Sequence, residues 1–588
     1  MGVPVFDIET VDWIIPVLVG FFDGKEYTEF TKISEEHDVV WSFLEALRKD
    51  YKGIKLYAHN ATQFDNRIIL DCLLRHNERP IVKANAQCLI WDDIIFMDSL
   101  ALTGRGLNKL CAAFNVPQKL EWKHDETKNP WEMGPRLEEF SAYLKRDCMS
   151  LSQALEKFCM FTLENWNVTL STNRYIQTLA LLAVRILEKN YLKLEDVERN
   201  SGFNTVLEGA TYGPRKEVYK LYGTNIFNYD INCSFTSCFD APMPVGPLRR
   251  LKKEEFSIDR GTVIKAKIKV PTSLVIGPLP YRLNGKLCFP VGEFGGDCWW
   301  DAVELRNAVK NHGVEILEII TQLECTEVPV LKAFGNDLHE LALSTENANL
   351  RRLVLGIGQR LAGKFGQKVS STETKHISDM TLEDHIGAEP IDPHEVYFSC
   401  IIKKAKEPQY TRRALNMRIK AEARLRHTNY LIEASKKGNV YLCNTDSMYT
   451  DVEHPVSKEP GKLKLVDFAI RGYFINPGVY GVVTPQGLLK QKTAGYRDYQ
   501  LTEEDFKKLL RGEELPCTFK RLGNLKEILA ANELKMYERH MTAKIVADRT
   551  NRIRVGDHTE PIVLPESSVP AVFVNAFSKE KEKLEVKV

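Results

Sequence analysis

The first 75 residues limit the fold most, because β-prone and amphipathic stretches alternate there in a fixed order. "VPVFDIET" reads as a strand ending in carboxylates, and "WIIPVLVGFFDGKEYTEF" as two more strands joined at Asp23-Gly24, a strong hairpin signal. In "DVVWSFLEALRKD", Val39, Val40, Phe43, Leu44 and Leu47 recur at helical spacing. "GIKLYAHN" is a fourth strand, and a helix opens near "FDNRIILDCLL". Strand-strand-strand-helix-strand-helix predicts a mixed-sheet α/β domain.

The acids of this region stand where such a sheet can use them. Asp7 and Glu9 are two apart on a strand and point to one face. Asp65 opens the later helix, just after Asn60. In "FSAYLKRDCMSLSQALEKF", Tyr143 and Asp147 are four apart on a helix and share a face. Four carboxylates together are costly unless cations neutralise them, and hard oxygen ligands select Mg²⁺ or Mn²⁺. Two such ions activate a water and stabilise the leaving oxygen of a phosphodiester.

A second acidic pair lies far along the chain. "GNVYLCNTDSMYTD" (438–451) reads as a hairpin with Val440, Leu442 and Met448 packed inward and Asn444, Thr445 and Asp446 at its tip. "NIFNYDINCSFTSCF" is a β-prone run with Asp230 at its polar break. A strand end and a hairpin tip on a shared sheet would bring Asp230 and Asp446 together as a second two-carboxylate site.

The bulk numbers set bounds. A chain of 588 residues holds several domains with substantial cores. Its net charge of +1 means that a polyanion must be met by local basic patches. Thirteen scattered cysteines without a C-x-x-C pair argue against a disulfide framework and a structural zinc site, and for a reducing compartment. "WIIPVLVGFF" is too short to span a membrane and contains a proline, and Met1 leads into a strand with no basic leader. These features predict a cytoplasmic monomer with no membrane partner.

"FDIET", "NATQFD" and "YLKRD" resemble, in order and identity, the three motifs of proofreading 3′–5′ exonucleases of the DEDD type. The resemblance implies a ribonuclease H-like domain in which Asp7, Glu9, Asp65 and Asp147 bind metals and Tyr143 orients the attacking water. Asn60 and Phe64 would contact the single-stranded 3′ end. Behind that domain, "YDINCSF" and "CNTDS" resemble motifs A and C of family B DNA polymerases. By this resemblance Asp230 and Asp446 hold Mg²⁺ (or Mn²⁺), two ions per active site, against the incoming dNTP and the primer 3′ hydroxyl. Phe235 falls where the family has a tyrosine beneath the sugar, which implies exclusion of a ribose 2′-OH.

Other motifs resemble the family less closely. "GQRLAGKFG" is similar to motif B of the fingers, with Gln359 for the usual asparagine, Ala362 for the tyrosine and Leu355 for a phosphate-binding lysine. Arg351, Arg352 and Lys364 are the candidates to supply that charge. "TYGPRKE" resembles the linker between the exonuclease and polymerase parts. "YTRRALNMRIKAEARLRH" is a basic helix whose arginines 412, 413, 418, 424 and 426 suit phosphate contact, or an ordinary exposed helix. "PGVYGVV" keeps Tyr480 of the primer-binding motif and has Gly478 for its lysine, and "LKQKTAGY" opens a lysine-rich segment suited to a thumb.

The first acidic motif starts at residue 7, which predicts no N-terminal domain, and the gaps from Asp230 to Gln359 and on to Asp446 suit the two insertions of the protein-primed branch. The expected organisation is α/β and α+β: a ribonuclease H-like exonuclease domain followed by a right-hand palm, fingers and thumb. Residues 1–185 are the exonuclease, 186–250 the first palm part, and 251–345 an insertion resembling terminal-protein region 1. Fingers follow at 346–370, a second insertion at 371–400, the second palm part at 401–497 and the thumb and C-terminal region at 498–588. The polar stretch 371–397 reads as an excursion or flexible loop, and the tail "SKEKEKLEVKV" as solvated. The implied partners are primer-template and single-stranded DNA, dNTPs and a terminal protein primer, for strand-displacing replication of a linear viral or plasmid genome. The alternatives are a DNA-primed family B polymerase, and a polymerase-derived exonuclease or DNA-binding protein with an impaired polymerase site.

Overall fold

The computed structural model describes residues 2–83, 86–123, 127–170, 177–367, 372–382, 384–385, 388–390, 397–401, 408–495, 500–545 and 551–564. The tail 578–588 therefore lies outside the described residues. The N-terminal region contains strands β1 (Val5–Val11), β2 (Ile15–Phe22), β3 (Tyr27–Thr31), β4 (Lys55–Ala58), β5 (Ile81–Lys83), β6 (Cys88–Trp91) and β7 (Ile94–Asp98). Its helices are α1 (Val39–Asp50), α2 (Asp65–Arg75) and α3 (Arg136–Trp166). The strands run in the order β5-β6-β7-β4-β1-β2-β3, with β1 parallel to β4 and antiparallel to β2. Alternation along β1 sorts its residues. Phe6 and Ile8 join a core with Phe43 and Leu47 of α1 and Ile69 and Leu73 of α2. Val5 packs in the opposite core with Tyr143, Leu144 and Cys148 of α3, so Asp7 and Glu9 face α3.

Described parts of the stretch 371–397, expected as an excursion or flexible loop, pair as strands on the edge of this sheet. Strands Thr372–His376 and Tyr397–Ile401 pair antiparallel, and Thr374 pairs with Val82 of β5. Arg79 also donates to the Ser378 hydroxyl at 2.6 Å. Polar composition gave no warning, because pairing on an existing sheet edge satisfies the backbone without an apolar run.

Helix α4 (Leu179–Asn190) shares one apolar core with an antiparallel pair, α5 (Lys332–Ser344) and α6 (Ala348–Phe365). The expected boundary at 185/186 falls inside α4, and that at 345/346 falls in the turn between α5 and α6. Asn347 caps α6 by accepting from the Asn349 and Leu350 amides.

A second sheet is built from β8 (Lys216–Val218), β9 (Tyr222–Ile231), β10 (Val440–Asn444), β11 (Ser447–Thr450), β12 (Leu463–Asn476), β13 (Val479–Val483) and β14 (Leu489–Thr493). Its order is β14-β13-β12-β9-β11-β10-β8, antiparallel throughout. Helix α7 (Arg413–Lys437) covers one face, where Leu431 and Ile432 meet Tyr229, Ile231, Cys443 and Met448. The other face carries Ile226, Leu442, Tyr449, Phe474 and Tyr480. The hairpin 438–451 forms as expected, but its packing differs. A bulge between Val440 and Leu442 places Leu442 opposite Tyr449, and Cys443 opposite Met448. Both faces of this strand are buried, so simple inward alternation does not describe it.

The basic helix is also corrected. Arg418 ion-pairs with Asp301 (2.8 Å) and Glu327 (2.7 Å), and Arg424 with Glu304 (2.5 Å). Arg413 pairs with Glu208, and Arg412 donates to the Leu194 carbonyl. These four arginines are buried and bind α7 to its surroundings, so they are not phosphate contacts. Asp301, Glu304 and Glu327 belong to the insertion, whose strands Val263–Val270, Val291–Asp301 and Glu315–Glu324 form a separate sheet with its own core around Ile264, Ile268, Trp300 and Leu305. In the C-terminal segment, α8 (Leu525–Ala531) seats Leu525, Ile528 and Leu529 in the core of α1 and α2, and Arg67 donates to the Gly523 carbonyl at 2.9 Å. A segment expected to be a thumb thus touches the N-terminal domain.

Candidate active sites

The N-terminal site forms where β1 faces α3. Oxygens of Asp7, Glu9 and Asp147 lie within 4.8 Å of one another. Asp65, at the start of α2, accepts the Ile8 amide at 3.1 Å and sits beside Asp7. Glu9, Asp65 and Asp147 are 6, 1 and 2 % exposed. Burial, reinforced by the charge of Asp147, pushes Asp7 up to about 7. Burial and then Asp7 push Glu9 and Asp65 well above the carboxylate range. Lys119 ion-pairs with Asp147 and lies 5.4 Å above the ring of Tyr143. Burial would lower its ammonium, but Asp7 and Asp147 hold it above the usual range. Buried hard oxygen donors held at such a cost fit a divalent cation of the Mg²⁺ or Mn²⁺ kind.

Beside the acids, the loop carrying Asn60 and Phe64 is fixed by one buried carboxylate. Asp98 accepts from the amides of Asn60 (3.1 Å) and Thr62 (3.0 Å), the Thr62 hydroxyl (2.5 Å) and the Leu100 amide (2.9 Å). That grip holds Asn60 in the left-handed region, φ +66°. Phe64 meets the half-exposed Trp13 edge-on, with ring centroids 6.3 Å apart. Two rings and an exposed amide thus stand together beside the acids.

The central site lies on the face of the second sheet opposite α7. Asp230 on β9 pairs in register with Ser447, next to Asp446 in the β10–β11 turn. The Asp446 carbonyl accepts the Ile231 amide at 3.0 Å, the Thr445 amide donates to the Arg215 carbonyl at 2.8 Å, and Thr445 has φ +69°. His427 of α7, held down to about 3 by burial, donates through Nε2 to the Ser447 carbonyl at 3.1 Å. The turn is thus tied from three sides. Burial and then the charge of Asp230 push Asp446 up to about 6. Lys464 pairs in register with Asp230 and bonds its carboxylate at 2.8 Å. Two carboxylates held together by backbone also fit a hard divalent cation.

A family model described as "DNA polymerase type B, organellar and viral" matches residues 116–431, just over half of the chain. The chain belongs to this family of type B DNA polymerases. Among curated relatives, a "Probable DNA polymerase" of Neurospora intermedia is 25% identical over 565 residues, covering 82% of this chain and 56% of the relative. One of Podospora anserina is 24% identical over 420 residues, covering 62% and 34%. The chain spans about half or less of the length of these curated relatives. In fold, it is similar to Phi29 DNA polymerase complexed with primer-template DNA and incoming nucleotide (TM-score 0.70, 15% identity, 93% of this chain and 99% of that one). Phi29 DNA polymerase with single-stranded DNA gives TM-score 0.66 at the same identity, covering 92% of this chain and 100% of that one. The fold is a ribonuclease H-like domain followed by a right-hand polymerase.

In this type B polymerase fold the remaining candidates separate. Phe235 is half-buried at the start of the 3-10 turn Thr236–Asp240, just beyond β9. Tyr480 lies on the same sheet face as Asp230, its hydroxyl 3.4 Å from that of Tyr449. On α6, Gln359 and Arg352 are exposed. Arg351 is spent inside the helical pair, donating to the carbonyls of Ala342 (3.1 Å) and Thr345 (2.8 Å). Lys364 donates to Gln367 at 2.8 Å and lies over Tyr410. Of the four, Arg352 and Gln359 have exposed side chains, whereas Arg351 and Lys364 are half-buried and hydrogen-bonded.

The sequence reading missed Lys119, Lys464, Asp98 and Trp13. Nothing in the local pattern separates either lysine from its neighbours. Asp98 carries a usable signal, an acid immediately before a short helix, where an N-cap is expected. No helix among the described residues is long and apolar enough to cross a membrane.

Proposed function

We propose that this chain is a DNA-directed DNA polymerase with an intrinsic 3′–5′ proofreading exonuclease, and that it primes synthesis from a terminal protein. The observation that carries the reading is two carboxylate sites on two separate sheets of one chain. Asp7, Glu9, Asp65 and Asp147 hold metal at the exonuclease site, with Tyr143 and Lys119 beside the scissile phosphate. Asn60, Phe64 and Trp13 hold the frayed 3′ end. Asp230 and Asp446 hold metal at the polymerase site. Two Mg²⁺ ions per site, when bound, supply Lewis-acid stabilisation of the charge that develops at phosphorus and on the leaving oxygen.

The remaining residues position substrate. Phe235 stands where a ring closes the space a ribose 2′-OH would need, Tyr480 supports the primer terminus, and Gln359 and Arg352 face the nucleotide. Residues 1–185 act as exonuclease and 401–497 with 186–250 as palm. The α5–α6 pair acts as one fingers unit, the insertion sheet as the seat for a priming protein, and the segment from 498 as thumb.

Primer extension with Mg²⁺ and dNTPs tests the polymerase. Incubation with labelled dNTP, origin DNA and a candidate terminal protein tests the priming. A covalent protein–dNMP adduct supports protein priming, and extension without any adduct supports a DNA-primed enzyme. A chain that degrades 3′ ends but never extends them is a polymerase-derived exonuclease.

A further inference from the structure

We propose that Arg105, Arg352 and Arg360 form a seat for phosphate oxyanions where the exonuclease domain meets helix α6. Arg105 follows the short helix Ser99–Thr103, which ends at Gly104 in the left-handed conformation, φ +65°. A side chain at Gly104 would be strained there and would press on Leu179 at 3.1 Å, so glycine lets this loop pass close over the start of α4. The loop then delivers the Arg105 guanidinium to α6, where it donates to the Arg352 carbonyl. Its Nη2 lies 3.7 Å from where a Cβ on Gly356 would stand, and a guanidinium nitrogen of Arg360 lies 3.8 Å from the equivalent point on Gly104. Arginines from two domains thus converge beside these two glycines.

Like charges gather there, and Arg352 and Arg360 are the charged groups that act on Arg105. Among the described residues, none of the three arginines makes an ion pair, whereas Arg413, Arg418 and Arg424 of α7 each have a carboxylate. Arg352 and Arg360 are exposed and Arg105 is half-buried. Burial, with the positive charges of Arg352 and Arg360, holds the Arg105 guanidinium below its usual range. A cluster of planar donors that the protein leaves uncompensated suits a ligand with several anionic oxygens. DNA backbone phosphates and a nucleotide polyphosphate share that chemistry. Only the choice between them rests on the polymerase reading.

The test needs no catalysis. Anisotropy of labelled single-stranded and primer-template oligonucleotides is measured on the full chain in EDTA across a range of salt. Equilibrium dialysis of radiolabelled dNTP is run in parallel. R360A, at an exposed position, and the charge-conserving R105K accompany R105A. If DNA phosphates occupy the seat, R360A weakens oligonucleotide binding about tenfold and flattens the logarithmic salt dependence by about 0.7 for each lost single-strand contact. R105K then keeps the slope. If a nucleotide polyphosphate occupies it, dNTP binding weakens about tenfold while oligonucleotide binding holds. Unchanged binding of both probes by R360A and R105A overturns the proposal. A wild-type chain that never extends primers would refute the polymerase reading while leaving both binding measurements intact.

Discussion

The two acid sites solve one problem in different ways. At the N-terminal site four carboxylates from β1, α2 and α3 converge out of water, with Glu9, Asp65 and Asp147 6% exposed or less. At the central site two carboxylates stand at a strand end and a turn, and the Asp230 side chain is 27% exposed. Each carries one lysine against an acid, Lys119 on Asp147 and Lys464 on Asp230. The buried set carries its desolvation cost permanently, so the scaffold must impose it. The open pair carries a smaller cost, with burial pushing Asp446 only to about 6. Under the proposed function, a site for a single frayed end can be prebuilt, whereas one that must admit a duplex and a new nucleotide at each step has to stay open.

If the sites are independent, their losses separate, and these are the largest effects expected. Asp446→Asn removes a metal-holding carboxylate and lowers primer extension about a thousandfold or more, with degradation of single-stranded 3′ ends retained. Asp7→Ala with Glu9→Ala does the reverse. Both rates are read from one end-labelled primer on a sequencing gel, and loss of both activities in either variant would collapse the two sites into one.

What the sequence displayed follows the same division. Asp7 and Glu9, or Tyr143 and Asp147, announce themselves because strand and helix periods place close neighbours on one face. Asp230 and Asp446 are legible because each breaks a β-prone run. Lys464 reaches Asp230 only through the register of β9 against β12, and Lys119 reaches Asp147 from an irregular loop, so neither follows from local spacing. The arginines of α7 were misread because their acids, Asp301, Glu304 and Glu327, lie about a hundred residues away. A charge looks solvated until its partner is placed. The pairing of Thr372–His376 on β5 and the docking of α8 on α2 are hidden for the same reason.

A steric effect at the open site comes next in size. Phe235→Ala removes the ring proposed to fill the space of a 2′-OH. Ribonucleotide incorporation relative to deoxynucleotide should rise about tenfold to a hundredfold, the range available to a shape-based pocket. Competitive single-nucleotide incorporation reads the ratio, and an unchanged value would move the gate to another residue.

Proton linkage sharpens the contrast further. Asp7 rises from 3.8 to about 7 on folding, so in metal-free protein its contribution to stability is full below pH 3.8 and is lost as pH climbs through 7. A cation must displace that proton, and Mg²⁺ affinity at the buried site should increase about tenfold between pH 6 and 8. Asp446 rises only to about 6, so affinity at the open site should level off about one pH unit earlier. Calorimetric titration of Mg²⁺ into the Asp446→Asn chain isolates the first site, and into the Asp7→Ala, Glu9→Ala chain the second. A buried site whose affinity is flat with pH would contradict the assigned protonation.

The smallest effect is expected at Asn444, two residues before Asp446 at the hairpin tip. Residue 444 follows Leu442 by two on β10, so it faces the Asp230 side of the sheet. Its Nδ2 donates to the Pro477 carbonyl at 3.0 Å, just ahead of the strand that carries Tyr480. An aspartate there could not donate, and its carboxylate would oppose the carbonyl. The same change would add a charged oxygen ligand near the metal-holding pair, so the two consequences offset. Asn444→Asp should therefore alter the extension rate by no more than about tenfold, against about a thousandfold for Asp446→Asn. The amide tethers the strand that carries Tyr480, and under the proposed function the metal work falls to Asp230 and Asp446. Single-turnover extension by the two variants decides it. If the natural chain fails to extend a primer and Asn444→Asp restores extension, the asparagine is a disabling change, and the central site of this chain is not an active polymerase.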